Sequence, residues 1–108
     1  MQSSAILNLN KANFGEQTSK GWVLVDFFSS RCGPCRMLSP VLDEFAKQAE
    51  NRLTVAKVDV EENPSLAAEF RVQSIPLLVF MKDGQEVTRL VGLRTVSELE
   101  QILENLEK

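Results

Sequence analysis

Histidine and tyrosine are absent from this 108-residue chain, and cysteine occurs only twice. Without histidine there can be no Ser-His-Asp triad and no Cys-His protease pair. A structural zinc site takes about four Cys or His ligands, and two thiols are too few, so no metal is expected. The net charge is −3 and no block of Lys and Arg is present, which argues against a nucleic-acid partner. No apolar run approaches the ~20 residues needed to span a bilayer, so no membrane role is expected. The opening MQSSAILNLN lacks the basic and long apolar regions of a secretory signal. The expectation is a protein of a reducing compartment, the cytoplasm, where a stapling disulfide is out of place.

What is present is ordinary for a globular chain: 44% hydrophobic and 25% charged residues, in a length that suits one domain over 1–108. Ala5 to Leu9 can open as a short strand, with a weak helix from about Lys11 to Ser19. WVLVDFF (Trp22 to Phe28) is nearly continuous in apolar character, as in a strand covered on both faces. From Pro34 the period becomes helical through Met37, Leu38, Val41, Leu42, Phe45, Ala46 and Ala49, ending near Asn51. Pro40 lies inside this helix and removes one backbone bond. LTVAKVDV (Leu53 to Val60) reads as a second core strand. Asn63-Pro64 marks an N-cap and first helical position for a short helix to about Phe70. Leu77 to Met81 and Glu86 to Val91 flank an Asp83-Gly84 turn, which predicts an antiparallel hairpin. Thr95 to Glu98 fits a capping box ahead of a closing helix. The order β-α-β-α-β-α-β-β-α predicts an α/β fold with helices on both faces of a mixed sheet.

The two cysteines sit together in SSRCGPCRM, where the buried strand gives way to the helix. Residues three apart in a first helical turn have Cβ atoms about 5–6 Å apart, so a small adjustment closes a disulfide. Cys32 at the helix N-terminus has free N–H groups and the helix dipole to favour its thiolate. Pro34 fits where its missing N–H is not needed, and Gly33 keeps a side chain from blocking Cys32. Cys35, one turn further in, is placed to resolve a mixed disulfide. Spacing, insert and context favour redox chemistry over two structural cysteines.

In VDFFSSRCGPC, RMLSPVLDEFA, VAKVDVEENP, SIPLLVF, Asp83-Gly84 and Val91-Gly92, the chain resembles the thioredoxin family over essentially its whole length. That resemblance implies a five-stranded mixed sheet flanked by four helices. It also implies a monomeric dithiol carrier that reduces protein disulfides, holds no bound cofactor beyond a redox-active Cys32–Cys35 disulfide, and is regenerated by a separate thioredoxin reductase. Arg31 stands where the family usually has tryptophan, and Leu77 where threonine is common. Both positions, with Gly33 and Pro34, lie on the surface that the family uses to dock partners.

Asp26 interrupts an apolar strand. It is either on a partly solvated face or a carboxyl of raised pKa that moves a proton to or from Cys35. The resemblance places Lys57 beside it as partner. Pro76 would by base rate be trans, whereas the resemblance makes it cis, packed against the disulfide, with the backbone of Ile75 free to pair with substrate. Gly92 is a strand-end glycine or, by resemblance, a close-approach surface for the partner. Trp22 reads as a packing residue at a strand start, and Phe27 and Phe28 read as core residues. The guanidinium of Arg31 is expected to add positive charge beside Cys32 and to favour acidic partners. An oxidase or isomerase, and a docking subunit with incidental cysteines, are the competing readings.

Overall fold

A computed structural model describes residues 5–108. Nine elements follow in order: β1 (Ile6–Asn8), α1 (Phe14–Gln17), β2 (Trp22–Phe28), α2 (Gly33–Gln48), β3 (Thr54–Asp59), α3 (Pro64–Glu69), β4 (Leu77–Lys82), β5 (Gln85–Val91) and α4 (Val96–Glu107). The strands form one sheet in the order β1-β3-β2-β4-β5. β1, β3 and β2 run parallel, and β4 and β5 are antiparallel additions. This is the mixed sheet and element order that the sequence predicts.

Successive strand residues face opposite sides of the sheet, and the chain uses both sides. Leu24, Val55, Leu78 and Phe80 point to one face, under Leu38, Leu42 and Phe45 of α2 and Leu99 and Leu103 of α4. Val23, Val25, Phe27, Ala56, Val58 and Val79 point to the other, under Phe14 and Leu66. A strand buried on both faces needs an unbroken apolar run, and this is why WVLVDFF looks as it does. The same parity assigns Asp26 and Lys57 to the α2 face, because they alternate in step with Leu24 and Val55.

Local chemistry sets the element ends. Asp83 and Gly84 both take positive φ (49° and 85°), the two-residue turn that the hairpin requires. Asp83 also ties this turn back to Gly21, whose N–H donates to Asp83 Oδ1 at 2.7 Å. Thr95 and Glu98 close a complete capping box on α4. Three expectations need correction. The first helix is four residues rather than nine, because Asn10 Oδ1 accepts from the N–H groups of Ala12 and Asn13 and holds a turn there. Asn63 precedes α3 as expected, yet its side chain donates to the Asp59 carbonyl at 3.0 Å instead of capping. Phe28 is only half-buried, and the Lys57 ammonium lies 4.6 Å from its ring centroid.

Candidate active site

The sheet topology brings three separated segments to one end of the molecule. β2 ends at Phe28 and hands the chain to the N-terminus of α2. β4 runs antiparallel to β2, with Phe27 opposite Leu77, so Ile75 and Pro76 arrive where β2 leaves off. β5 returns antiparallel to β4, with Leu77 opposite Val91, which delivers Gly92 to the same end. The Gly92 N–H donates to the Pro76 carbonyl at 2.9 Å, and Gly92 has φ 96°.

Cys32 is the N-cap of α2, in extended conformation, and its sulfur accepts the Cys35 N–H at 3.1 Å. The pair is joined as a disulfide with 5.2 Å between Cα atoms. Exposure differs between the two: Cys32 is half-buried, whereas Cys35 is 3% exposed. The difference follows from helical spacing, since Cys35 begins the stripe that continues through Leu38, Leu42 and Phe45 into the core. Pro34 lies in the first turn of α2. A Cβ on Gly33 would meet nothing within 4 Å. Packing inside the chain therefore does not demand glycine there, and the side chain it omits would project from the surface.

The Ile75–Pro76 peptide bond is cis. Cys32 Sγ lies 3.9 Å from the Ile75 carbonyl oxygen, and the Ile75 N–H has no hydrogen-bond partner among the described residues. Met37, Val91 and Leu93 are three of the four large apolar side chains left exposed among the described residues, and they sit beside the cysteine pair or on either side of Gly92. The loop leading to Cys32 is held by a closed set of contacts. The Arg31 N–H donates to Ser29 Oγ at 3.2 Å, Ser29 Oγ donates to Glu61 at 2.8 Å, and Arg31 Nε lies 3.7 Å from the same carboxylate. The Arg31 side chain is 85% exposed, so this ion pair contributes little stability. Glu61, which sequence reasoning did not single out, offsets part of the positive charge expected to act on Cys32.

Behind the disulfide, Asp26 is fully buried and neither carboxylate oxygen has a hydrogen-bond partner. Loss of solvation drives its pKa up to about 7, and the Lys57 charge opposes that rise only in part. Lys57 is opposite Asp26 in the β2–β3 register and 8% exposed, with its ammonium 3.4 Å from Ser39 Oγ. Sequence alone would have left Lys57 facing solvent. A cavity of about 160 Å³ opens here, lined by Phe28, Ser29, Cys35, Arg36, Ser39 and Lys57. Ser39 was missed from sequence. The signal was available, since it lies four residues after Cys35 on one helix face. Among the described residues no group of three or more Cys, His, Asp or Glu could hold a metal, and no helix is long and apolar enough to cross a membrane.

The thioredoxin family model matches residues 5–105. Thioredoxins of Staphylococcus haemolyticus and Staphylococcus aureus are each 43% identical over 100 residues, covering 93% of this chain and 96% of the relative. A mutant thioredoxin from Halobacterium salinarum superposes with a TM-score of 0.87 at 33% identity, covering 100% of this chain and 96% of the other. With its Cys-Gly-Pro-Cys disulfide at the head of α2 and relatives matched along nearly their full length, the chain belongs to the thioredoxin family of thiol-disulfide oxidoreductases, which reduce protein disulfides by dithiol-disulfide exchange.

Proposed function

We propose that Cys32 is the attacking thiolate, Cys35 the resolving thiol, and Asp26 with Lys57 the proton-transfer pair behind them. In the reduced protein the α2 N-terminus favours a thiolate on Cys32, the more exposed sulfur. That thiolate attacks one sulfur of a substrate disulfide, forming a mixed disulfide and releasing the other substrate sulfur as a thiolate that takes up a proton. Cys35 then gives its proton toward Asp26 and attacks Cys32 Sγ. The Cys32–Cys35 bond closes and the second substrate thiol leaves. Two electrons pass to the substrate, and the protein is left in the disulfide form. A carboxyl titrating near neutrality suits a group that must accept and return a proton.

The substrate chain is proposed to lie along Ile75, using its unpartnered N–H and its carbonyl as a short β-bridge. Arg31, Gly33, Pro34, Pro76 and Gly92 border that path, and the exposed Met37, Val91 and Leu93 give it an apolar surround. Electrons return from a separate thioredoxin reductase, so turnover needs no bound cofactor. The working form is a single-domain cytoplasmic monomer.

The observation that carries this reading is the pairing of an accessible Cys32 with a buried Cys35 across one helical turn. Replacing both cysteines by serine is expected to abolish reduction of a protein disulfide by the pre-reduced protein. Activity surviving in the Cys32→Ser/Cys35→Ser protein would mean that the fold serves as a docking surface instead.

A further inference from the structure

Beside the Ile75–Pro76 turn opens a second cleft of about 210 Å³, lined by Arg71, Gln73, Ser74, Leu77, Arg89 and Val91. Its two arginines are not equivalent. Arg89 is committed within the chain, donating to Glu86 at 2.6 and 2.8 Å and to the Phe70 carbonyl at 3.0 Å. The side chains of Arg71, Gln73 and Ser74 are exposed and make no hydrogen bond or ion pair among the described residues. Glu86 balances Arg89, so the cleft presents one uncompensated guanidinium and two neutral polar groups.

Arg71 also occupies an unfavourable backbone position. It follows Phe70, the C-cap of α3, with φ 52°, and the Val72 N–H to Ala67 carbonyl (2.9 Å) and Arg71 N–H to Ala68 carbonyl (3.0 Å) bonds form a Schellman closure. Glycine is the usual occupant there because an L side chain is disfavoured at positive φ. A disfavoured side chain at the rim of a cleft, with no partner inside the molecule, motivates a role outside it.

We propose that Arg71 reads a carboxylate on the disulfide-bearing partner, so that substrates with an Asp or Glu flanking the reacting cysteine are reduced preferentially. The proposal rests on the docking of substrate along Ile75, since Gln73 and Ser74 lead directly into that residue. A planar guanidinium fork suits a carboxylate better than a flexible ammonium does, and Gln73 and Ser74 can add neutral donors. Being exposed and screened, the contact is worth a preference of about two- to five-fold at low salt, fading as ionic strength rises.

The test uses two sets of disulfide-bridged peptides, with a single Glu or Gln walked through the positions on either side of one cysteine. The ratio of kcat/KM for matched Glu and Gln peptides is measured in the wild type, Arg71→Gly, Arg71→Gln and the remote charge control Lys20→Gln. At one or more positions the ratio should exceed about two in the wild type and Lys20→Gln. It should fall to near one in both Arg71 variants. Denaturant melts should show Arg71→Gly at least as stable as the wild type, which separates lost recognition from lost fold, and Arg71→Gln keeps most of the side-chain volume should glycine loosen the turn. Equal ratios at every position in the wild type at low salt overturn the proposal, as does a Glu preference that survives both Arg71 variants. Reduction of neither peptide set overturns the docking reading as well, whereas equal reduction of both overturns this proposal alone.

Discussion

Asp26 carries a carboxyl to full burial and finds no donor for either oxygen. An unfolded aspartate titrates near 3.8 and this one near 7. Well below 3.8 both states hold the proton and the group's ionisation does not affect stability. As pH rises the unfolded chain loses its proton first, so the folded state is progressively disfavoured, and the loss is complete above about pH 7. At about 1.4 kcal/mol per pH unit the interval amounts to a ceiling of ~4 kcal/mol. Asp26→Ala removes that cost but leaves a small cavity, so a net gain of about 2 kcal/mol is expected at pH 8, giving way to a small loss by about pH 4. Urea melts of both proteins across this range check it, together with slower disulfide reduction by the variant. A loss of stability at pH 8 would mean that the carboxylate is paired after all. A carboxylate in an apolar strand was legible as an anomaly. Its depth was not, because the cover comes from α2, which local sequence does not place.

The helix α2 makes the two cysteines unequal. Its N-cap holds Cys32 at the accessible end, and its buried stripe begins at Cys35. In the reduced protein at neutral pH, Cys32 is therefore expected to alkylate at least about tenfold faster than Cys35, since only Cys32 combines access with the helix-terminal field. Brief iodoacetamide treatment followed by peptide mass mapping measures the order directly, and earlier labelling of Cys35 would reverse the assigned roles. Periodicity carried most information at this scale. The helical repeat after Pro34, the two-sided strand at Trp22 and the Thr95 capping box each appear within a few residues of where the pattern puts them. The first helix did not, because Asn10 and Asn13 spend their side chains on a turn that competes with helix. Lys57 was legible as a strand residue, but its burial depends on Ser39 of α2 and on Phe28 lying against it, neighbours that no local pattern specifies.

At the scale of the molecule, the mixed sheet separates the work of folding from the work of exchange. The Asp83-Gly84 turn joins the ends of β4 and β5 remote from the cysteines, while Gly92 and Pro76 meet at the other end beside them. The Asp-Gly signal alone predicts that hairpin, and with it the approach of Gly92 to Pro76. The antiparallel pairing of β4 with β2, which sets Pro76 against Cys32, is a long-range choice that no local pattern specifies, and only the packing of Pro76 against the disulfide came from family resemblance. Gly84 and Gly92 provide a matched comparison of the two ends, for both hold positive φ (85° and 96°) and a Cβ on either would touch nothing closer than 3.9 Å. Gly84→Ala and Gly92→Ala should therefore each cost about 1–2 kcal/mol through backbone strain alone. Their effects on exchange should part company. Gly84→Ala is expected to reduce a protein disulfide at the wild-type kcat/KM, whereas Gly92→Ala should lose several-fold by standing the docked chain off Ile75. Thermal melts and insulin-type turbidity or fluorogenic disulfide assays on the two variants give both quantities. Full activity in Gly92→Ala at unchanged temperature would show that the partner does not approach this end of β5.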